Sequence, residues 1–168
     1  LVADILQLPE LDSMAAKKQQ KEIVPEPVDL AELLRDIAAN MTVNAGKTYV
    51  TLECNAAPAV VQGSSDLLAE LATNLCDNAI RYNRPGGKVV LSCGTAADGS
   101  PWLSVEDNGI GIPKESQTRV FERFYRVDKS RSKATGGTGL GLAIVKHIAM
   151  LHGAAIDLKS QVGARTTI

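Results

Sequence analysis

Apolar positions along the chain fall into two periods. Leu30, Leu33, Leu34, Ile37 and Met41 recur at the spacing of one face of an α-helix. Asp29 stands just before them with Glu32 three residues further on, a capping-box-like start. Leu68, Leu71, Leu75 and Ala79 predict a second amphipathic helix from about Ser65 to Tyr82, and Leu140–Leu151 a third that ends at Gly153. Between these lie short runs rich in β-formers: Tyr49–Cys54, Val60–Gln62, KVVLSC and WLSVED. The last two flank the turn AADG and read as a hairpin. IDLKS, a turn at Gly163 and a closing run to Ile168 finish the chain. Without strict βαβ alternation, this order predicts a mixed sheet with helices on one face.

The start of the chain reads differently. Leu1, Ile5 and Leu8 form a single helical stripe, which Pro9 interrupts by removing a hydrogen bond to Ile5 and crowding that carbonyl. KKQQKEIVPEP, with Pro25 and Pro27, reads as a linker. The expected organisation is therefore a helical segment and linker over 1–24 and one domain over 25–168.

Composition narrows the function classes. At 168 residues and 45% hydrophobic content, the chain can bury one core and carry a small appendage. A net charge of −1 and 4% aromatic residues argue against nucleic acid as a partner. No apolar run approaches the roughly 18 residues of a membrane span, so no membrane contact by this stretch is expected. Cys54, Cys76 and Cys93 are odd in number and lack CxxC spacing. Free thiols in a reducing, cytoplasmic setting are the simplest expectation.

Three stretches carry candidate chemistry. ATGGTGLGLAIVKH places four glycines within six residues and runs straight into the third helix. Such a bare backbone lets N–H groups approach an anion at a helix N-terminus. No lysine follows Gly141, which excludes a P-loop, and Gly137, Gly139 and Gly141 give GxGxG rather than a dinucleotide fingerprint. A structural turn and a nucleotide cradle both remain open from this stretch alone. On the second helix, Asn74, Asn78 and Arg81 share a face at i, i+4 and i+7. Carboxamides can coordinate Mg²⁺ without adding negative charge and an arginine can neutralise phosphate, although a solvated helix face has the same pattern. VEDNGIGIP ends a strand with Asp107 and then supplies Gly109 and Gly111, which suits an exocyclic amine and equally an ordinary turn.

Together and in this order the motifs become specific. NLCDNAIRYN resembles the N box, DNGIGIP the G1 box, RVFERFYRVD the F box and GGTGLGLAIVKH the G2 box of the catalytic, ATP-binding domain of sensor histidine kinases. The likeness runs over roughly residues 29 to 168. It implies an α+β fold, a two-layer α/β sandwich with a mixed, mostly antiparallel sheet, shared with gyrase, heat-shock-90 and mismatch-repair ATPases. The opening LVADILQL resembles the end of the dimerisation helix that precedes this domain.

The resemblance also implies roles. Asn78 would be the Mg²⁺ ligand, with Asn74 as a second metal or phosphate contact. Arg81 and Arg126 would face phosphate, and these two with Asn78 would form the catalytic set. Tyr82 would lie beside adenine and Asp107 would accept from its amine, with Gly109, Gly111 and Ile112 shaping that pocket. Gly137, Thr138, Gly139, Leu140, Gly141 and Leu142 would present the backbone to ATP as the lower part of a lid, which Phe121 and Phe124 anchor. The charged, poorly apolar segment from Val127 to Thr135 would be mobile without nucleotide. The implied activity is transfer of the γ-phosphoryl group to a histidine on an acceptor helix of the same homodimeric, membrane-anchored kinase, for relay to a response regulator.

Some positions depart from the family. Arg165 stands where glycine is common, which leaves open Thr166 as a water-mediated adenine contact. His147 and His152, the only histidines, are not followed by the acidic residue of an acceptor box, so structural roles are expected. His152 at the helix end suits a cation against the carbonyl dipole. Where hydrolytic relatives carry a glutamate that activates water, this chain has Asn74, which cannot act as a general base. Phosphoryl transfer to a nucleophilic imidazole asks mainly for positioning and charge neutralisation.

Overall fold

Asp29 is where local chemistry switches the chain from strand to helix. Its Oδ1 accepts from the backbone N–H groups of Ala31 and Glu32 at 2.9 and 3.2 Å, satisfying donors that a helix N-terminus leaves unpaired. In the computed structural model, which describes residues 23–128, 130 and 136–168, this cap starts helix α1, Leu30–Lys47. Ser64 caps α2, Ser65–Arg81, through its hydroxyl. Helix α3 spans Gly141–Leu151 and has no side-chain cap.

The strands are β1 Glu26–Asp29, β2 Thr51–Ala56, β3 Val60–Gly63, β4 Lys88–Thr95, β5 Pro101–Asp107, β6 Lys159–Gln161 and β7 Arg165–Thr167. Five of them form one sheet in the order β2-β4-β5-β7-β6, while β1 and β3 make a separate antiparallel ladder. Only β2 and β4 pair in parallel; the other pairs of the large sheet are antiparallel. Alternation along β4 sends Val89, Leu91 and Cys93 to the face that the helices cover. Leu34 of α1 and Leu75, Cys76 and Ala79 of α2 fill the space against them, with Val105 of β5 and Val145 of α3. The α+β architecture with a mixed, mostly antiparallel sheet is the expected one.

The linker reading fails at its end. Pro27 lies in β1 opposite Gln62, and Val28 beside it is buried. A two-stranded ladder leaves each strand an open edge, so a proline without an N–H is tolerated there. Burial of Val28 then favours the paired chain. The first strand of the large sheet also starts later than expected, at Thr51. Tyr49 before it adopts a left-handed φ of 57° as the chain turns out of α1. The Leu1, Ile5 and Leu8 stripe and the Pro9 interruption lie outside the described residues.

All three cysteines are free. Burial pushes the Cys76 thiol up to about 12, with Asp77 adding to it, and burial also raises Cys54 and Cys93. These are poorly nucleophilic thiols that serve packing. Among the described residues no helix is long and apolar enough to cross a membrane.

Candidate nucleotide site

Helix α2 buries Leu68, Ala72, Leu75, Cys76, Ala79 and Ile80, which leaves Asn74, Asp77, Asn78 and Arg81 on the flank between core and solvent. That flank forms one wall of a cavity of about 740 Å³. The start of α3 and the glycines before it form another wall, and the end of β5, the loop after it and Thr166 of β7 complete it.

At one end the cavity presents a half-buried carboxyl. Asp107 closes β5 opposite Thr166 of β7. Its Oδ1 accepts from Gly109 N–H at 2.9 Å, which leaves the rest of the carboxyl for the cavity. Burial raises the Asp107 carboxyl to about 6; the Gly109 hydrogen bond works against this and neighbouring Glu106 adds to it. Gly111 has a φ of +72°, and a Cβ on it would run into the carbonyl oxygen of Gln161 in β6. Ile112 N–H donates to Ser160 Oγ at 2.8 Å, and that oxygen is 2.7 Å from Thr166 Oγ1. Gly109 departs from expectation: it does not line the cavity. It packs behind the wall, where a Cβ would lie 2.5 Å from the Tyr82 carbonyl oxygen.

The other end suits an anion. Helix α3 begins at the cavity without a side-chain cap, so its first N–H groups and its dipole are directed at whatever binds there. A methyl group on Gly141 would lie 3.5 Å from Asn74 Oδ1 and 3.7 Å from Asn78 Nδ2. The bare backbone therefore meets the asparagine pair directly. A methyl on Gly137 would lie 3.2 Å from Arg81 Nη1, 3.2 Å from the Tyr82 hydroxyl and 3.9 Å from Arg126 Nη2. Two guanidinium groups thus flank one glycine. Thr138, Gly139, Leu140 and Leu142 complete this side.

Residues 63–168 match the family described as histidine kinase-, DNA gyrase B- and HSP90-like ATPases. The chain belongs to this family. The sensor-like histidine kinase SenX3 of Mycolicibacterium smegmatis is 41% identical over 155 residues, which cover 90% of this chain and 40% of that protein. The mycobacterial sensor histidine kinase MprB superposes with a TM-score of 0.74 at 31% identity, covering 86% of this chain and 93% of that structure. Full-length ShkA in complex with AMPPNP gives 0.75 at 27% identity over 87% of this chain and 30% of that one. The chain is thus an ATP-binding domain of the sensor histidine kinase type, and it spans 40% of the length of SenX3.

Within this ATPase domain the F-box stretch is held in an unexpected way. Phe124 is not buried; the residue is 50% exposed. It anchors through its backbone, donating its N–H to the Gly139 carbonyl at 2.9 Å with a left-handed φ of 63°. Phe121 is half-buried, while the fully packed neighbour is Val120. Tyr125 contributes a hydroxyl bond to buried Ser116 at 2.9 Å, with the Arg119 guanidinium over its ring at 4.4 Å. Of the segment expected to move, Lys129 and 131–135 lie outside the described residues.

Two groups were not legible as site residues. Asp77 lines the cavity and holds Arg81 Nη2 at 2.7 Å; its i, i+4 spacing to Arg81 was the available signal. Arg84 bonds three backbone carbonyls beside the Asp107 end, a role no local pattern announces. His152 corrects a detail. Its Nδ1 bonds the Ile148 carbonyl at 2.8 Å, so Nδ1 carries the proton, and its Nε2 accepts from Ser64 N–H at 3.1 Å. The ring is neutral and structural, not a cation on the helix dipole.

Proposed function

We propose that this domain holds Mg-ATP in the cavity between α2 and α3 and passes the γ-phosphoryl group to a histidine on an acceptor helix, for relay to a response regulator. One observation carries the reading. A single cavity has a half-buried carboxyl at one end and, at the other, an uncapped helix start facing two asparagines and two arginines. Adenine then sits at Asp107, beside Tyr82 and Ile112, and the triphosphate runs toward Gly137–Gly141. Residues 25–168 form the catalytic domain, and 1–24 the tail of a dimerisation helix and linker in a membrane-anchored homodimer.

The residues present fit a magnesium ion that arrives with the nucleotide. No group of three or more His, Cys, Asp or Glu among the described residues could hold a metal by itself, but Mg²⁺ on a triphosphate keeps phosphate oxygens and waters and needs few protein ligands. Asn78 and Asn74 supply neutral oxygens for it. When bound, the ion would supply positive charge that offsets the charge of the phosphates.

The protein's own contribution is position and field. Asp107 accepts from the exocyclic amine and sets the base. The α3 N–H groups and the Arg81 and Arg126 guanidiniums stabilise charge on the transferring group. Asp77 holds Arg81 at the cavity wall, keeping it extended toward Gly137. Asn74 offers no proton acceptor for water, so bound ATP waits for an imidazole.

Radiolabelled ATP tests this with the chain alone, with an acceptor-helix fragment of the same kinase, and with Asn78→Ala. Acid-labile label on the fragment, rising with fragment concentration and abolished by Asn78→Ala, is the expected result. Acid-stable label on the chain itself favours a serine-directed kinase and defeats the reading.

A further inference from the structure

We infer that Arg84 is a positioning residue for adenine recognition, clamping the Asp107 loop to the β6–β7 turn; this rests on adenine lying at Asp107. Arg84 follows α2 and sits on the rim of the cavity. Its Nε and Nη2 donate to the Asn108 carbonyl at 3.2 and 3.0 Å. The same Nη2 reaches the Gly163 carbonyl at 2.9 Å and the Gly109 carbonyl at 3.4 Å. Asn108 and Gly109 directly follow Asp107, while Gly163 is the turn between β6 and β7, the hairpin that brings Thr166 opposite Asp107.

Three carbonyl oxygens from two chain segments therefore converge on one guanidinium. Their dipoles repel one another without a cation between them, so removing it loosens both segments together. Three further ties cross this seam, farther from Asp107 along the loop: Gly163 N–H to the Ile110 carbonyl at 2.8 Å, Ile112 N–H to Ser160 Oγ at 2.8 Å, and Gln117 Nε2, which donates to the Ile112 and Ser160 carbonyls at 2.9 and 3.1 Å. At Gly111 and Gln161 the two backbones lie in direct contact. A compact ammonium cannot reproduce this fork, because it lacks the rigid spread of donors that spans Asn108 and Gly163. Arg84 itself makes no bond to Asp107. Its effect on the base passes through the placement of the loop and the hairpin.

The test is calorimetric titration of Arg84→Ala, Arg84→Lys and Asp107→Asn with Mg-ADP and with Mg-tripolyphosphate, which lacks the base. Arg84→Ala should weaken ADP about tenfold and leave tripolyphosphate unchanged, because only the adenine end loses its preorganisation. Arg84→Lys should weaken ADP by an intermediate factor. Amide exchange at Ile110 and Gly163 should quicken in both variants. Circular dichroism establishes that each variant is folded; if alanine prevents folding, the lysine variant carries the same comparison. Equal losses for ADP and tripolyphosphate overturn the inference. So does unchanged ADP affinity in folded Arg84 variants while Asp107→Asn weakens it. If Asp107→Asn also leaves ADP unaffected, the placement of adenine fails and the inference with it.

Discussion

The ring of His152 at the end of α3 accepts a hydrogen bond from the backbone N–H of Ser64, the residue that caps α2. The helix bearing Asn74 and Asn78 is thereby tied to the helix whose other end faces them. Gly63 makes room for this contact, since a Cβ there would collide with the imidazole. His152→Ala should cost about 1–3 kcal/mol, because Ser64 N–H loses its acceptor in a half-buried site. Gly63→Ala should destabilise through the same latch, and combining the two should cost less than the sum. Urea unfolding measures all three; strict additivity would separate Gly63 from His152.

Asp107 predicts a pH dependence with a definite sign. Its carboxyl is raised from 3.8 to about 6, first by burial. A raised carboxyl binds protons more tightly folded than unfolded. Its contribution to stability is therefore complete below 3.8 and lost as pH rises through about 6. With adenine at Asp107 as proposed, ligand affinity runs the opposite way, because the ionised carboxyl is the stronger acceptor for its amine. Adenosine, which carries no phosphate to titrate, should bind roughly tenfold more weakly for each pH unit below that range. Asp107→Asn should weaken adenosine binding and flatten the profile. An unchanged slope in that variant would assign the titration to another group.

Gly139 and Gly141 should respond differently to a methyl group. Gly139 has a φ of +74°, and a Cβ there would lie 3.0 Å from Phe124 Cα. Gly139→Ala should strain the tie to the F-box backbone and weaken nucleotide binding along with local order. At Gly141 the methyl only touches Asn74 and Asn78, at 3.5 Å and beyond. Gly141→Ala should keep or raise stability, by up to about 1 kcal/mol, yet weaken Mg-ATP by occupying its approach. Thermal melts with and without Mg-ATP distinguish the two; parallel losses of stability would remove Gly141 from the phosphate site.

What could be read from the chain in advance was whatever local spacing encodes. Asp29 and the Leu30-to-Met41 period placed α1, and Asn74, Asn78 and Arg81 do share the cavity wall, because helix geometry alone puts them together. Long-range partners were illegible. Strand β1 hid behind Pro25 and Pro27, since its reason to pair is burial of Val28 against a ladder formed some thirty residues later. Arg84 meets Gly163 across 79 residues of sequence, and His152 meets Ser64 across 88. Phe124 was expected as an anchor through the resemblance alone, and its link to the glycine-rich turn is a backbone bond to Gly139 that no side-chain pattern encodes.

The position of Asn74 predicts what the chain does with ATP when no acceptor is supplied. Its side chain reaches the same space as the start of α3, one helical turn before Asn78, where a water could approach a bound γ-phosphate. A carboxamide takes no proton near neutral pH, so the wild-type chain should release phosphate very slowly. Asp77 of α2 also lines this wall, but it is engaged by Arg81 at 2.7 Å. Asn74→Glu supplies a free base at the required turn of α2 and should raise phosphate release on the order of 10²-fold, the lower range of general-base contributions. The new charge should also weaken Mg-ATP, so the rate is compared at saturating nucleotide. Transfer to an acceptor fragment should fall in the same variant, because hydrolysis competes for the bound nucleotide. Phosphate release and fragment labelling, followed together, decide it. Vigorous hydrolysis by the wild type, or an Asn74→Glu chain as inert as its parent, would show that Asn74 does not set the choice between water and histidine.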